Sequence, residues 1–270
     1  MLKSLLSFAA GVLMFANMAC ANYHGFSADD VADFEILPGW RTSSGTHMTA
    51  LRVVLEPGWK TYWRAPGEAG IPARFDWGGS KNISAVQFHW PTPDVYYQNS
   101  MRSVGYEGEL ILPIEITPRR VGAAIAMRAD VEFGVCQDIC IPVSIRLAAD
   151  LNGPGASDNR IKAAIKAGPL SARAAGMSAI ACQIDPIADG LRLTAQITMP
   201  ALGRTEIAVV ELPDQSIWIS EAAVMRQGKT LTAVAEMVPA NNRPFSLNRS
   251  QVRITVIGGG RAVDIQGCKR

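Results

Sequence analysis

The chain has 270 residues, with 26 Lys and Arg against 24 Asp and Glu, a formal net charge of +2, and 48% apolar residues. That length and apolar share are enough for one or two packed cores and exclude an intrinsically disordered chain. Charge so near balance, without a long basic run, excludes an electrostatic nucleic-acid binder and names no other partner.

Residues 1–21 hold Lys3, an apolar run over 5–15 and Ala19-Cys20-Ala21. This is the pattern of a secretory signal peptide cleaved after Ala21, and a periplasmic location is expected. An acylated Cys20 is the weaker alternative, because Asn17 and Met18 stand where an aliphatic and a small residue are usual. No later stretch approaches the roughly 20 apolar residues of a transmembrane helix, so the mature chain is expected to be soluble.

From 30 to 150 short strands follow one another, expected at 31–37, 46–56, 61–64, 73–77, 84–90, 110–117, 124–136 and 140–149. Pro38-Gly39, Pro57-Gly58, Pro66-Gly67, Gly78-Gly79 and Pro91-Thr92-Pro93 punctuate them. Many short strands with almost no helical periodicity predict an all-β fold opening with a β-sandwich over 22–150. In 125–135 the odd positions Ile125, Met127, Ala129, Val131, Phe133 and Val135 are apolar, and after Cys140 so are Ile141, Val143, Ile145 and Leu147. A period of two therefore sends both Cys136 and Cys140 to the outer face. A continuous strand would hold them roughly 13 Å apart, too far for a disulfide, so the chain must turn at Gln137-Asp138-Ile139 and make them cross-strand neighbours. The result is either a reversible dithiol at a sheet tip or a permanent hairpin staple.

Asn152-Gly153-Pro154-Gly155 opens a linker over 151–174, in which Ser157 is placed to cap a short helix through Ile161, Ala164 and Ile165. A second, smaller β domain is expected over 175–270, with strands at 178–184, 191–199, 206–212, 216–219, 222–225, 230–238, 252–257 and 261–266. Gly258-Gly259-Gly260 reads as a hairpin turn, since no helix follows to make it a phosphate loop. With Cys20 in the leader, four of the five cysteines remain, an even number in an exported chain. Their natural pairing is Cys136 with Cys140 and Cys182 with Cys268, the second closing the ends of the C-terminal domain as a structural disulfide.

Trp59, Trp63, Trp77 and Trp90 stand at strand positions, where large aromatics fill the space between sheets. His24, His47 and His89 share no ligand spacing, and methionines such as Met127, Met199 and Met237 sit on strands. Neither a metal site nor a copper role follows from them. No hydrolase set and no nucleotide loop is present, so no cofactor is expected.

Four blocks, in order, resemble one family. They are Pro57-Gly58-Trp59-Lys60-Thr61-Tyr62-Trp63-Arg64-Ala65-Pro66-Gly67 with Phe75-Asp76-Trp77, then Trp90-Pro91-Thr92-Pro93, Gly105-Tyr106-Glu107-Gly108-Glu109, and Cys136-Gln137-Asp138-Ile139-Cys140-Ile141-Pro142. Together they are similar to the periplasmic N-terminal domain of the thiol:disulfide interchange protein DsbD, especially its ScsB-like relatives. The resemblance implies an immunoglobulin-like β-sandwich in which Cys136 and Cys140 are the redox-active pair, relaying electrons from a membrane-bound thiol reductase to oxidised periplasmic thioredoxin-like or client proteins. It also implies an aromatic cap loop, for which Tyr96 and Tyr97 are the candidates, and it favours Cys140 as nucleophile in the onward step. The sequence carries no membrane or thioredoxin-like segment, so the electron donor is expected to be another protein. Asp130, Glu132 and Asp138 oppose thiol ionisation, and no lysine or histidine is near in sequence. The rival reading is a non-catalytic binding module with two structural disulfides.

Overall fold

The computed structural model describes residues 30–268 apart from 69, 99, 100 and 242. The signal peptide expected at 1–21, with Cys20, and His24 lie outside the described residues. In chain order the first ten strands are β1 (Ala32–Arg41), β2 (His47–Leu55), β3 (Lys60–Tyr62), β4 (Arg74–Asp76), β5 (Ile83–Phe88), β6 (Asp94–Gln98), β7 (Met101–Glu107), β8 (Glu109–Pro118), β9 (Ile125–Cys136) and β10 (Cys140–Leu151). They form two sheets, β1-β2-β8-β5 and β10-β9-β3-β7-β6, with β4 also pairing β9. The fold is all-β and immunoglobulin-like.

Alternation along the strands explains the core. Leu51, Val53, Leu112 and Ile114 from one sheet meet Met127, Val131, Phe133 and Val135 from the other, around a fully buried Trp63. Burial of each such side chain contributes about 1.5–3 kcal/mol. Trp59 and Trp90 are buried in the same core, and Trp77 packs on it through Phe75 and Phe88. Met127, Met199 and Met237 are core residues too.

Two expectations need correction here. Residues 94–98 and 101–107 are not a loop: they are the paired strands β6 and β7, with Tyr96 opposite Ser103 and Tyr97 opposite Arg102. The alternation there is broken because β7 is buried at Arg102 and Ser103 as well as at Val104 and Tyr106. The helix, α1 (Asn159–Lys166), is capped by Asp158 rather than Ser157, its carboxylate accepting from the Arg160 amide at 2.7 Å. Ile161 anchors α1 on Leu37, Met48 and Ala50.

The remaining strands are β11 (Leu170–Ser171), β12 (Ala179–Pro186), β13 (Leu191–Thr198), β14 (Glu206–Glu211), β15 (Ile217–Ile219), β16 (Ala223–Gln227), β17 (Thr230–Pro239), β18 (Arg253–Gly258) and β19 (Arg261–Gln266). Gly259 and Gly260 both have positive φ, 57° and 68°, and make the two-residue turn between β18 and β19. The sheet β11-β19-β18-β14 faces β12-β13-β17-β15 and is covered on both sides. Ala208, Val210, Ile254, Val256, Val263 and Ile265 fill the C-terminal core. On the reverse face, Ile207, Ile257 and Ala262 join the core of the N-terminal sandwich, with Val209 packed against it. Among the described residues no helix is long and apolar enough to cross a membrane.

Candidate functional site

Residues Cys140 and Cys136 face each other across the β9–β10 hairpin, with Cα atoms 4.1 Å apart, and are joined as a disulfide. So short a separation suits a non-hydrogen-bonded cross-strand pair, whose side chains approach most closely. The second bridge joins Cys182 on β12 to Cys268 beyond β19, Cα atoms 5.7 Å apart, and both residues are buried.

The two sulfurs of the short pair are not equivalent, which corrects the expectation that both face solvent. Cys140 is exposed, whereas Cys136 is only 2% exposed. Alternation along β9 does send Cys136 to the outer face, but that face is covered. β3 lies alongside β9 with Lys60 opposite Cys136, and Tyr62, two residues on, shares the same face. Two residues before Cys136, Gly134 leaves room for Ile71, which any side chain at 134 would strike.

This face supplies two groups that sequence proximity does not reveal. The Tyr62 hydroxyl lies 3.6 Å from Cys140 Sγ. A disulfide sulfur carries no proton, so the phenol is the donor. Burial pushes the Tyr62 phenol up from its ordinary value, which keeps it protonated and able to donate to a developing thiolate. Lys60 is the second group, cross-strand from Cys136, with its ammonium 5.1 Å above the Tyr96 ring. A register argument could have found both residues, since β3 must pair β9 to complete the sheet. Their distance in sequence from Cys136 hides them otherwise.

Tyr96 lies three strands from Cys136, with β3 and β7 between them, on the cysteines' face of the sheet, and burial, with Asp94 and Glu107 adding to it, pushes its phenol up. Tyr97 points the other way and is 64% exposed. Asp130, Glu132 and Asp138 are exposed, Asp130 pairing with Arg146 at 3.2 Å. His47 is buried against the Pro38 carbonyl at 2.7 Å and His89 pairs with Glu115 at 3.0 Å, both away from the hairpin. Among the described residues no group of three or more His, Cys, Asp and Glu side chains gathers as a metal set.

Residues 29–152, the stretch that holds this hairpin, match the family described as Thiol:disulfide interchange protein DsbD, N-terminal. This segment is a DsbD N-terminal-like domain. The whole chain is similar in fold to the crystal structure of the N-terminal periplasmic domain of ScsB from Proteus mirabilis, at 22% identity and a TM-score of 0.69. That likeness covers 91% of this chain and 96% of the other, so it extends beyond the DsbD N-terminal-like domain into the C-terminal sandwich. No curated protein sequence matches the chain. A thiol:disulfide exchange role is what the DsbD N-terminal-like domain supports.

Proposed function

We propose that the protein is a periplasmic thiol:disulfide exchange protein in which the Cys136–Cys140 pair relays two electrons from a membrane-bound thiol reductase to oxidised thioredoxin-like or client proteins. The observation that carries this reading is the asymmetry of the pair, one sulfur exposed beside a phenolic donor and the other buried behind it. A donor thiolate attacks Cys140 Sγ, the bond to Cys136 breaks, and Cys136 leaves as a thiolate that takes up a proton. The donor's second thiolate then attacks its own sulfur in the mixed disulfide and releases Cys140 as a thiolate beside Tyr62. In the onward step Cys140 attacks an acceptor disulfide, and Cys136 resolves the mixed disulfide by attacking Cys140. Donor dithiol and acceptor disulfide are thereby exchanged for donor disulfide and acceptor dithiol, with the pair restored. Exposed Ile139, next to Cys140 in the chain, and Ile71, over Gly134, give a docking partner apolar surface to cover. No cofactor takes part in these steps.

Mild dithiol treatment of folded protein is expected to free Cys136 and Cys140 while Cys182 and Cys268 stay bonded, because only Cys140 offers an accessible sulfur. Mass mapping of alkylated cysteines checks it. Equal labelling of all four, or a reduction potential for the short pair below about −300 mV, would favour the binding-module reading instead, in which the burial of Cys136 marks a permanent staple. Tyr62→Phe keeps the ring and removes the donor. Its loss should slow exchange roughly fivefold, the equivalent of one hydrogen bond of about 1 kcal/mol, read as the rate of the purified pair with a thioredoxin-like protein. An unchanged rate would remove Tyr62 from the chemistry.

A further inference from the structure

The segment that begins at Tyr62 does two jobs at once. Tyr62 reaches Cys140, and Trp63 is fully buried in the core. The next residue, Arg64, leaves the N-terminal sandwich altogether. Its Nε and Nη2 donate to the two carboxylate oxygens of Glu211 on β14, both at 2.9 Å, and Nη2 also donates to Thr255 Oγ1 on β18 at 3.1 Å. The guanidinium carbon sits 3.8 Å over the Trp63 ring, and Thr255 is fully buried. Such a planar fork, satisfied bidentately and stacked on an indole, fixes direction as well as distance.

Beyond Arg64 the chain stays between the sandwiches. Trp63 N donates to Val104 O and Val104 N to Pro66 O, both at 2.9 Å, which ties the segment to β7. Ala65, Pro66, Gly67 and Glu68 line a cavity of about 220 Å³ whose other wall includes Val209 and Trp218. On β7, Arg102 pairs with Glu221 of the C-terminal sandwich at 3.4 Å. Gly70 then packs against the Tyr62 ring and Pro66, and Ile71 lies on Gly134. One strap, residues 62–68 with Gly70 and Ile71, therefore touches the cysteine hairpin at both ends and is fastened to the other sandwich in between.

We infer that the C-terminal sandwich, through the Arg64–Glu211 ion pair, holds this strap over the β9 end of the hairpin and so sets which sulfur can be reached, making Arg64 and Glu211 positioning residues for the exchange proposed above. The near end of the strap is fixed by β3, where Tyr62 pairs with Gly105 of β7, but its far end, Gly70 and Ile71, lies outside any strand and rests on Tyr62, Pro66 and Gly134. The placement of that far end over Gly134 therefore depends on where the anchored stretch from Arg64 to Glu68 holds the chain. A strap loosened at Arg64 would let Ile71 lift from Gly134 and uncover Cys136 from that side.

The test uses the full chain and no partner, so it stands apart from the exchange reading itself. The short pair is reduced with dithiothreitol, pulsed with iodoacetamide at neutral pH, and the modified cysteines are mapped by mass. In the parent, Cys140 should label at least about tenfold faster than Cys136. Glu211→Gln, which keeps shape and one hydrogen bond but loses the ionic fork, should raise Cys136 labelling relative to Cys140 about fivefold and shift the equilibrium of the pair with glutathione. Arg64→Lys keeps the charge, loses the fork and carries the same expectation where Glu211→Gln perturbs folding. Gly134→Ala should act from the strap's far end by displacing Ile71 with the ion pair intact. A labelling ratio and glutathione equilibrium unchanged in folded Glu211→Gln and Arg64→Lys, with Cys182–Cys268 still bonded, would overturn the inference. Selective reduction of the short pair in that same protein would leave the exchange reading standing, which separates the two failures.

Discussion

Cys136→Ser, expressed in the native periplasm, is expected to accumulate high-mass adducts on non-reducing gels that vanish on reduction, while Cys140→Ser accumulates almost none. The expectation rests on access. In the onward step the attacking thiol must reach a partner's disulfide, and only Cys140 is exposed, whereas Cys136 is 2% exposed behind the Lys60–Tyr62 face. With Cys136 replaced, Cys140 still attacks, but no resolving thiol remains to release the partner, and the mixed disulfide persists. With Cys140 replaced, the remaining thiol is too covered to attack. Both variants should lose turnover with purified donor and acceptor by at least about 10³-fold, since each cycle needs two sulfurs. Equal trapping by the two variants would contradict the asymmetry. No trapping by either, together with resistance of the purified pair to thioredoxin-like proteins, would remove the redox reading.

The reach of sequence reasoning here follows from what period-two alternation can and cannot carry. Ile125 to Val135 alternate cleanly, and so the hairpin that brings Cys136 to Cys140 was legible, down to the turn at Gln137-Asp138-Ile139. Alternation assigns a side chain to a face, however, and says nothing of what lies on that face. Cys136 is on the outer side and is buried all the same, because β3 and Ile71 come from elsewhere in the chain. The β6–β7 hairpin went unread for a related reason. Arg102 is buried by an ion pair with Glu221, a partner in another sandwich, and a buried arginine breaks the apolar pattern that marks a strand. The packing of one sandwich on the other left a visible trace that alternation alone does not interpret. Ile254-Thr255-Val256-Ile257 is almost continuously apolar, as expected of a strand covered on both faces, and Thr255 is where Arg64 lands.

Replacing Cys182 and Cys268 together by serine should lower the melting temperature by roughly 10 °C, from a loss of about 2–5 kcal/mol spread over a cooperative unit of this size. The bridge spans a sequence separation of 86 and ties β12 in one sheet to the chain just beyond β19 in the facing sheet. In the chain-entropy account a closure that long restricts the unfolded state by about 4–5 kcal/mol, against roughly 2 kcal/mol for the short ring at Cys136 and Cys140. Part of the local geometry survives without the sulfurs, because Arg249 donates to the Cys182 carbonyl at 2.7 Å and accepts from the Cys268 amide at 2.9 Å. Those bonds hold the ends in the native state but do nothing to confine the unfolded chain, so they cannot replace the bridge. Calorimetry of the two double variants under identical conditions checks the order of effects: the long-bridge variant should melt well below the parent yet keep exchange activity, and the short-pair variant should melt close to the parent and lose it. If the short-pair variant is the less stable of the two, that bridge is a staple of the fold and its chemistry is incidental.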